Sequence, residues 1–217
     1  MLFNRHKLEI PTADQALRGR EEQWFSIADQ HKVLDAPVVT DESTIPDGFE
    51  VALFGLGCFW GAEEIYWRMP GVWSTSVGYA GGTTPHPSYE EVCSGMTGHT
   101  EAVRVVFDPT RVSYADLVKA FFEFHDPTQG MRQGNDVGTQ YRSAIYTLSP
   151  EQEKTAQQLR DAYEAELVRR GIGRITTEIT PAPTYYYAED HHQQYRAKNP
   201  NGSRCHSNTG VPFPADV

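Results

Sequence analysis

The sequence is short of cysteine, short of positive charge and without a long apolar run, and each shortage removes a class of function. Its three cysteines, Cys58, Cys93 and Cys205, are an odd number at wide spacing. They cannot lay out the disulfide framework of a small secreted domain and suit a reducing compartment, where a disulfide is transient. Lys and Arg number 19 against 29 Asp and Glu, giving a net charge of −10, which argues against nucleic acid or anionic membrane as partner. After Met1-Leu2-Phe3-Asn4-Arg5-His6-Lys7 no stretch is apolar enough for a signal-peptide core or a transmembrane span. A cytoplasmic location is therefore expected.

What is present fits one enzyme domain, since 217 residues suffice for a sizeable core without a second one. Residues 1–45 are polar, carry Pro11 and Pro37, and offer at most a short helix around Ala13 to Arg20. They read as an extension wrapped on a catalytic domain spanning residues 46–198, with residues 199–217 as a flexible C-terminal tail. Within the domain, patterning predicts strands over Glu50–Leu56, Val72–Tyr79, Glu101–Phe107, Ser143–Leu148 and Ile175–Thr180. It predicts helices over Phe59–Arg68, from an N-cap at Ser113 to about His125, and from Pro150 to about Arg170. Elements mixed this way imply an α+β fold, a two-layer α/β sandwich with a mixed sheet and a ferredoxin-like core.

Cys58 falls where the first strand should turn into the first helix. A thiol at a helix N-terminus meets unpaired backbone N–H groups and the positive end of the dipole, both of which favour thiolate. An apolar setting more often means a small packed residue. Gly57 and Gly61 tilt the reading toward reactivity, because a merely packed cysteine does not need tight turning and close backbone approach on both sides. Glu101 is the second candidate. Alternation puts it on one strand face with Val103, Val105 and Phe107, where desolvation should favour a protonated carboxyl suited to a general acid. A strand-end glutamate facing water is the ordinary alternative.

Gly57-Cys58-Phe59-Trp60-Gly61 resembles the signature of the A-type peptide-methionine sulfoxide reductases, which act on the S epimer. Gly78-Tyr79-Ala80-Gly81-Gly82, Tyr89 to Gly95, Gly98 to Val103, His125-Asp126-Pro127, Arg132 to Asp136 and Gly138 to Ser143 resemble the family in the same order. The likeness runs from about Glu50 to about Gly210, and several separated motifs in one order are far more specific than one pentapeptide. It implies that Cys58 attacks the sulfoxide sulfur, Glu101 donates a proton, and the hydroxyls of Tyr89 and Tyr141 hold the oxygen. It further implies that Phe59 and Trp60 enclose the methyl group and that Asp136 orders the polar side of the pocket.

Oxygen transfer would leave a sulfenic acid on Cys58, which a second thiol must capture. The tail residue Cys205 is the candidate resolver, giving a Cys58–Cys205 disulfide. Some family members carry another cysteine further on, where this chain has Val211-Pro212-Phe213-Pro214, so a relay of two disulfides within the chain is not expected. No metal or other cofactor is expected. The expected substrates are oxidised proteins and free methionine sulfoxide, with a thioredoxin-like protein or a low-molecular-weight thiol as reductant, and the enzyme is expected to be a monomer. Cys93 reads as a bystander or, failing that, a backup resolver. Glu63 and Glu64 place negative charge near Cys58 with no close Lys or Arg to offset it, so the free thiol is expected to be less reactive than its motif suggests.

Two rival readings belong to other classes. Cys58 could be an acyl-transfer nucleophile, as in a cysteine hydrolase, with a base among His99, His125, His191, His192 and His206. His191, His192, Cys205 and His206 could instead hold zinc, although the spacing lacks a Cys-x-x-Cys pair and adjacent histidines do not easily face one ion. His191 and His192 more naturally start a helix that includes Gln193, Gln194 and Tyr195. Tyr185-Tyr186-Tyr187 reads as alternating strand packing.

Overall fold

The computed structural model describes residues 8–202 and 207–215. In chain order its elements are β1 (Glu50–Leu56), α1 (Phe59–Trp67), β2 (Val72–Ala80), α2 (Tyr89–Cys93), β3 (Thr100–Phe107), α3 (Tyr114–Phe124), β4 (Arg132–Gln133), β5 (Asp136–Val137), β6 (Ser143–Thr147), α4 (Pro150–Arg169), β7 (Glu178–Pro181), β8 (Tyr186–Tyr187) and α5 (Tyr195–Lys198). Helix starts follow local chemistry. Ser88 with Glu91 and Ser113 with Asp116 form reciprocal capping boxes at α2 and α3, and Ser149 caps α4 ahead of Pro150.

Six strands form one mixed sheet in the order β7-β6-β1-β3-β2-β8, while β4 and β5 pair separately. Only β6 and β7 run parallel; the other pairs are antiparallel. β3 lies between β1 and β2, so α1 crosses over a strand that arrives later, a split β-α-β arrangement. Val103, Val105 and Phe107 on one side of β3 join the main core with residues of α1, α3 and α4. Ala102 turns to the other side, toward Leu53, Ala80, Ala144 and Tyr146. On that side Thr40 of the N-terminal segment bonds Arg104 and Tyr187. The expected alternation along β3 is the one observed.

Three local expectations are corrected. Residues 13–20 make one turn rather than a helix: the Leu17 N–H goes to Met96 O, the Arg20 N–H goes to Pro85 O, and Gly19 takes φ +67°. The strand expected from Ile175 starts at Glu178, because the Ile175 N–H bonds Glu164 and the Thr176 N–H bonds Pro127 O. The helix expected from His191 through Tyr195 breaks into a 3-10 turn (Asp190–His192) and α5, with Gln194 between them at φ +48°.

That break has a cause on α1. Glu63 is fully buried and its carboxylate accepts the Gln194 N–H at 2.8 Å, the Gln194 side-chain amide at 2.9 Å and the Thr75 hydroxyl at 2.9 Å. His31 of the N-terminal segment completes the cluster. Its Nδ1 accepts the N–H groups of Val33 and Leu34, so Nε2 carries the proton and donates to Thr75 at 2.8 Å. Burial pushes the Glu63 carboxyl up to about 7 from 4.5 and the His31 ring down to about 4 from 6.5.

By linkage, the Glu63 contribution to stability is fully present below pH 4.5 and lost as pH rises through about 7. The His31 contribution is present above 6.5 and lost as pH falls through about 4. Glu63→Gln, which mimics the protonated acid, should therefore gain stability relative to wild type as pH rises from 4.5 through about 7 in urea unfolding. A difference between the two proteins that does not change with pH would contradict the assignment.

Candidate active site

Cys58 is the N-cap of α1 and is buried. The turn delivering it depends on Gly57, whose φ is +91° and whose missing Cβ would lie 2.7 Å from Gln133 Cγ. Any side chain there meets both backbone strain and a clash. Gln133 is itself fixed: its amide accepts the Asp126 N–H at 3.0 Å and donates to Asp126 O at 2.9 Å. Its oxygen also accepts the Ser207 hydroxyl at 2.6 Å.

Glu101 reaches this turn from β3. Its carboxylate oxygen Oε2 accepts the Phe59 N–H at 2.9 Å, and the side chain is buried. Phe59 opens α1, so its amide is one of the donors that the helix leaves unpaired. The bond therefore satisfies that donor and holds a carboxyl beside the residue carrying the thiol. The strand-end reading of Glu101, a glutamate facing water, does not hold.

Tyr89 opens α2, and Tyr141 ends a 3-10 turn over Thr139–Tyr141, just after Asp136 of β5. Burial raises the Tyr89 hydroxyl's pKa well above its ordinary value, with Glu101 and Cys93 adding to the shift. Burial does the same to Tyr141, reinforced by the negative charges of Glu101, Cys93, Asp136 and Cys58. Both phenols thus keep their protons and remain hydrogen-bond donors. The hydroxyl of Tyr141 lies within electrostatic reach of Cys58, Glu101 and Asp136 together. Cys93, half-buried at the end of α2, hydrogen-bonds Tyr89. Read as a bystander, it instead touches one of the site's phenols.

An aromatic wall closes another side. Phe59 and Trp60 lie 6.4 and 6.5 Å from Tyr89 between ring centroids. Trp60 stacks on Tyr195 at 3.9 Å, and its indole N–H donates to His192 Nδ1 at 3.1 Å. His192 packs 4.4 Å from Tyr89. Glu189 accepts the Tyr89 N–H at 2.9 Å and the Tyr79 hydroxyl at 3.0 Å. Glu189 and the bonds made here by Gln133 and Gln194 carry no local signal in the sequence, and His192, a candidate there only as a hydrolase base or zinc ligand, instead accepts from Trp60, 132 residues away.

The structure corrects the expectation of uncompensated charge on α1. Glu64 pairs with Arg68 at 2.6 Å and with Arg196 at 3.2 Å, and Lys198 acts on Glu63. His99 is committed elsewhere, accepting the Gly82 N–H at 3.0 Å and contacting Thr84 O at 2.7 Å. Among the described residues no group of three or more His, Cys, Asp or Glu is placed to hold a metal ion. Cys205 and His206, and with them the proposed resolver and half of the zinc set, lie outside the described residues. Within those residues no helix is long and apolar enough to cross a membrane.

Chemically, the arrangement offers a buried thiol at a helix N-terminus, a carboxyl beside it, two phenol donors and an aromatic wall. Such a set can attack a polarised, weakly electrophilic centre while donating to its oxygen. Gly57→Ala should lower unfolding free energy by about 1–3 kcal/mol and slow alkylation of Cys58, measured by denaturation and thiol mass labelling. Unchanged stability with unchanged labelling would contradict the role given to this turn.

The family profile described as Peptide methionine sulfoxide reductase matches residues 50–212. Peptide methionine sulfoxide reductase MsrA of Azorhizobium caulinodans is 55% identical over 217 residues, covering 100% of this chain and 98% of the relative. The protein of the same name from Salinispora arenicola is 56% identical over 219 residues, with coverage of 100% and 98%. Among solved structures, methionine sulfoxide reductase A of Corynebacterium diphtheriae matches with a TM-score of 0.83 and 47% identity, covering 95% of this chain and 99% of that one.

Proposed function

The chain belongs to the peptide methionine sulfoxide reductase family and reduces methionine sulfoxide to methionine, and on that premise we propose that Cys58 is the nucleophile and Glu101 the proton donor. The observation that carries the assignment is the Glu101 carboxylate bonded to the Phe59 N–H, next to Cys58. A sulfoxide sulfur is a weak electrophile until its oxygen is protonated or strongly hydrogen-bonded. Thiolate and acid must therefore act on neighbouring atoms.

In this reading the Cys58 thiolate attacks the sulfur of the S epimer while Glu101 delivers a proton to the oxygen. Tyr89 and Tyr141 donate to that oxygen, which their retained protons allow. Phe59 and Trp60 enclose the methyl group, and Asp136 orders the polar side beside Tyr141. Oxygen passes to Cys58, methionine departs, and Cys58 is left as a sulfenic acid. The Cys205 thiol then condenses with it, releasing water and forming the Cys58–Cys205 disulfide.

Anchors on both sides of residues 203–206 support Cys205 in this role. Arg196, paired to Glu64 on α1, donates to the carbonyls of Asn199, Pro200 and Gly202. Ser207 bonds Gln133, which packs against the turn carrying Cys58. Gly202 and Ser207, the described residues flanking that segment, are thus each bonded to groups tied to the neighbourhood of Cys58. A thioredoxin-like protein or a small thiol reopens the disulfide by exchange, so the cycle needs thiols and no further cofactor. Its substrates are free and protein-bound methionine sulfoxide, and its setting is a reducing cytoplasm.

With excess dithiol the protein should consume the S epimer and leave the R epimer, and Cys58→Ser should abolish the activity. Glu101→Gln should slow sulfoxide reduction by about 10²-fold or more in a single turnover. Consumption of R alone would overturn the stereochemical reading. Full activity of Glu101→Gln would overturn the acid.

A further inference from the structure

Trp60 is held in two ways. Its face stacks on Tyr195 at 3.9 Å with an interplanar angle of 13°, and its edge donates to His192 Nδ1 at 3.1 Å. Since Nδ1 accepts, the ring proton of neutral His192 resides on Nε2. That Nε2 is buried and makes no hydrogen bond; Glu189 Oε2 lies 3.9 Å away, beyond hydrogen-bond range. Buried N–H groups are rarely left this way, and those that are need a reason.

The reason lies in what the imidazole joins. Its ring packs between Tyr89 at 4.4 Å and Phe59 at 5.4 Å, and lies at 20° to the Trp60 plane. The carboxylate facing Nε2 is the one that holds the Tyr89 N–H and the Tyr79 hydroxyl. Giving Nε2 a closer acceptor would require moving the imidazole away from Trp60 or moving Glu189 away from Tyr89. Burial, then His191 and Lys198, hold the His192 ring down to about 3, so the acceptor at Nδ1 persists at neutral pH.

We propose that His192 is a positioning residue of the reductase site: its Nδ1 fixes the plane of the Trp60 indole, and its ring, packed 4.4 Å from Tyr89, keeps that wall in register with Tyr89. The inference rests on the reading of Trp60 as the methyl wall and Tyr89 as an oxygen donor. His192 touches neither reacting atom and acts through two side chains that contact the sulfoxide, Trp60 at its methyl group and Tyr89 at its oxygen.

His192→Phe keeps the ring and removes the acceptor. His192→Asn returns an acceptor near the Nδ1 position, and His192→Gln returns one near Nε2. In protein labelled with 15N-tryptophan, the four tryptophans give four indole N–H signals, that of Trp60 being identified by its loss in Trp60→Phe. His192→Phe should shift the Trp60 signal and lower kcat/KM for the S epimer by about tenfold, mostly through KM. His192→Asn should restore both to within about threefold, and His192→Gln should restore neither. A Trp60 signal and kcat/KM unchanged in His192→Phe would overturn the proposal, as would equal recovery by Asn and Gln. If His192→Phe does not fold, the Asn and Gln pair decides alone. Wild-type protein that consumes neither epimer overturns the reaction reading, whereas an active wild type with an indifferent His192→Phe overturns only the role of His192.

Discussion

The bond from the Phe59 N–H to the Glu101 carboxylate is the contact on which the site depends. It ties the start of α1 to the sheet strand β3 and places one carboxyl at the helix end where Cys58 sits. A helix N-terminus favours negative charge, and here two groups compete for it: the thiolate of Cys58 and the carboxylate of Glu101. The field that stabilises one anion stabilises the other. A thiol and a carboxyl held at one helix end suit a reaction that consumes a thiolate and delivers a proton in the same step.

Around that contact the fold spends its buried polar groups on geometry. Glu63 breaks the chain at Gln194, which separates the turn bearing His192 from the helix bearing Tyr195. Both residues then meet Trp60, one at the indole edge and one on its face. Gln133 fills the space that Gly57 leaves and reaches Ser207 beyond the Cys205 segment. Each of these is a polar side chain taken out of water and given partners, which costs little only when every partner is present. The polar anchors around the Cys58 turn extend as far as Gly202 and Ser207.

Much of this was legible in the sequence. The apolar run ending at Leu56 and the glycine before Cys58 marked the strand, the turn and the helix start, and β1 spans Glu50–Leu56 as expected. Alternation along β3 put Glu101 on the core face because one face of that strand is buried against helices. The Ser113 cap fixed the start of α3. What failed were segments whose backbone donors are claimed from afar: Leu17 by Met96, Ile175 by Glu164 and Gln194 by Glu63. Local propensity cannot register a partner that the fold supplies. The contacts of His192 and Glu189 were not legible for the same reason, since Trp60 and His192 are 132 residues apart in sequence. The expected charge near Cys58 erred only partly for this reason: Arg196 reaches Glu64 only in the folded chain, whereas Arg68, four residues after Glu64, is a helix-spaced partner legible in the sequence.

In the proposed cycle oxygen passes from the sulfoxide to Cys58, and Cys205 then removes it as water. The most direct measurement is a single turnover of Cys205→Ser with one equivalent of the S epimer, quenched with a sulfenic-acid trapping reagent and read by peptide mass spectrometry. One methionine released per protein with the adduct on Cys58 is the predicted result. Methionine released with the adduct on Cys93, or with none, would contradict the account.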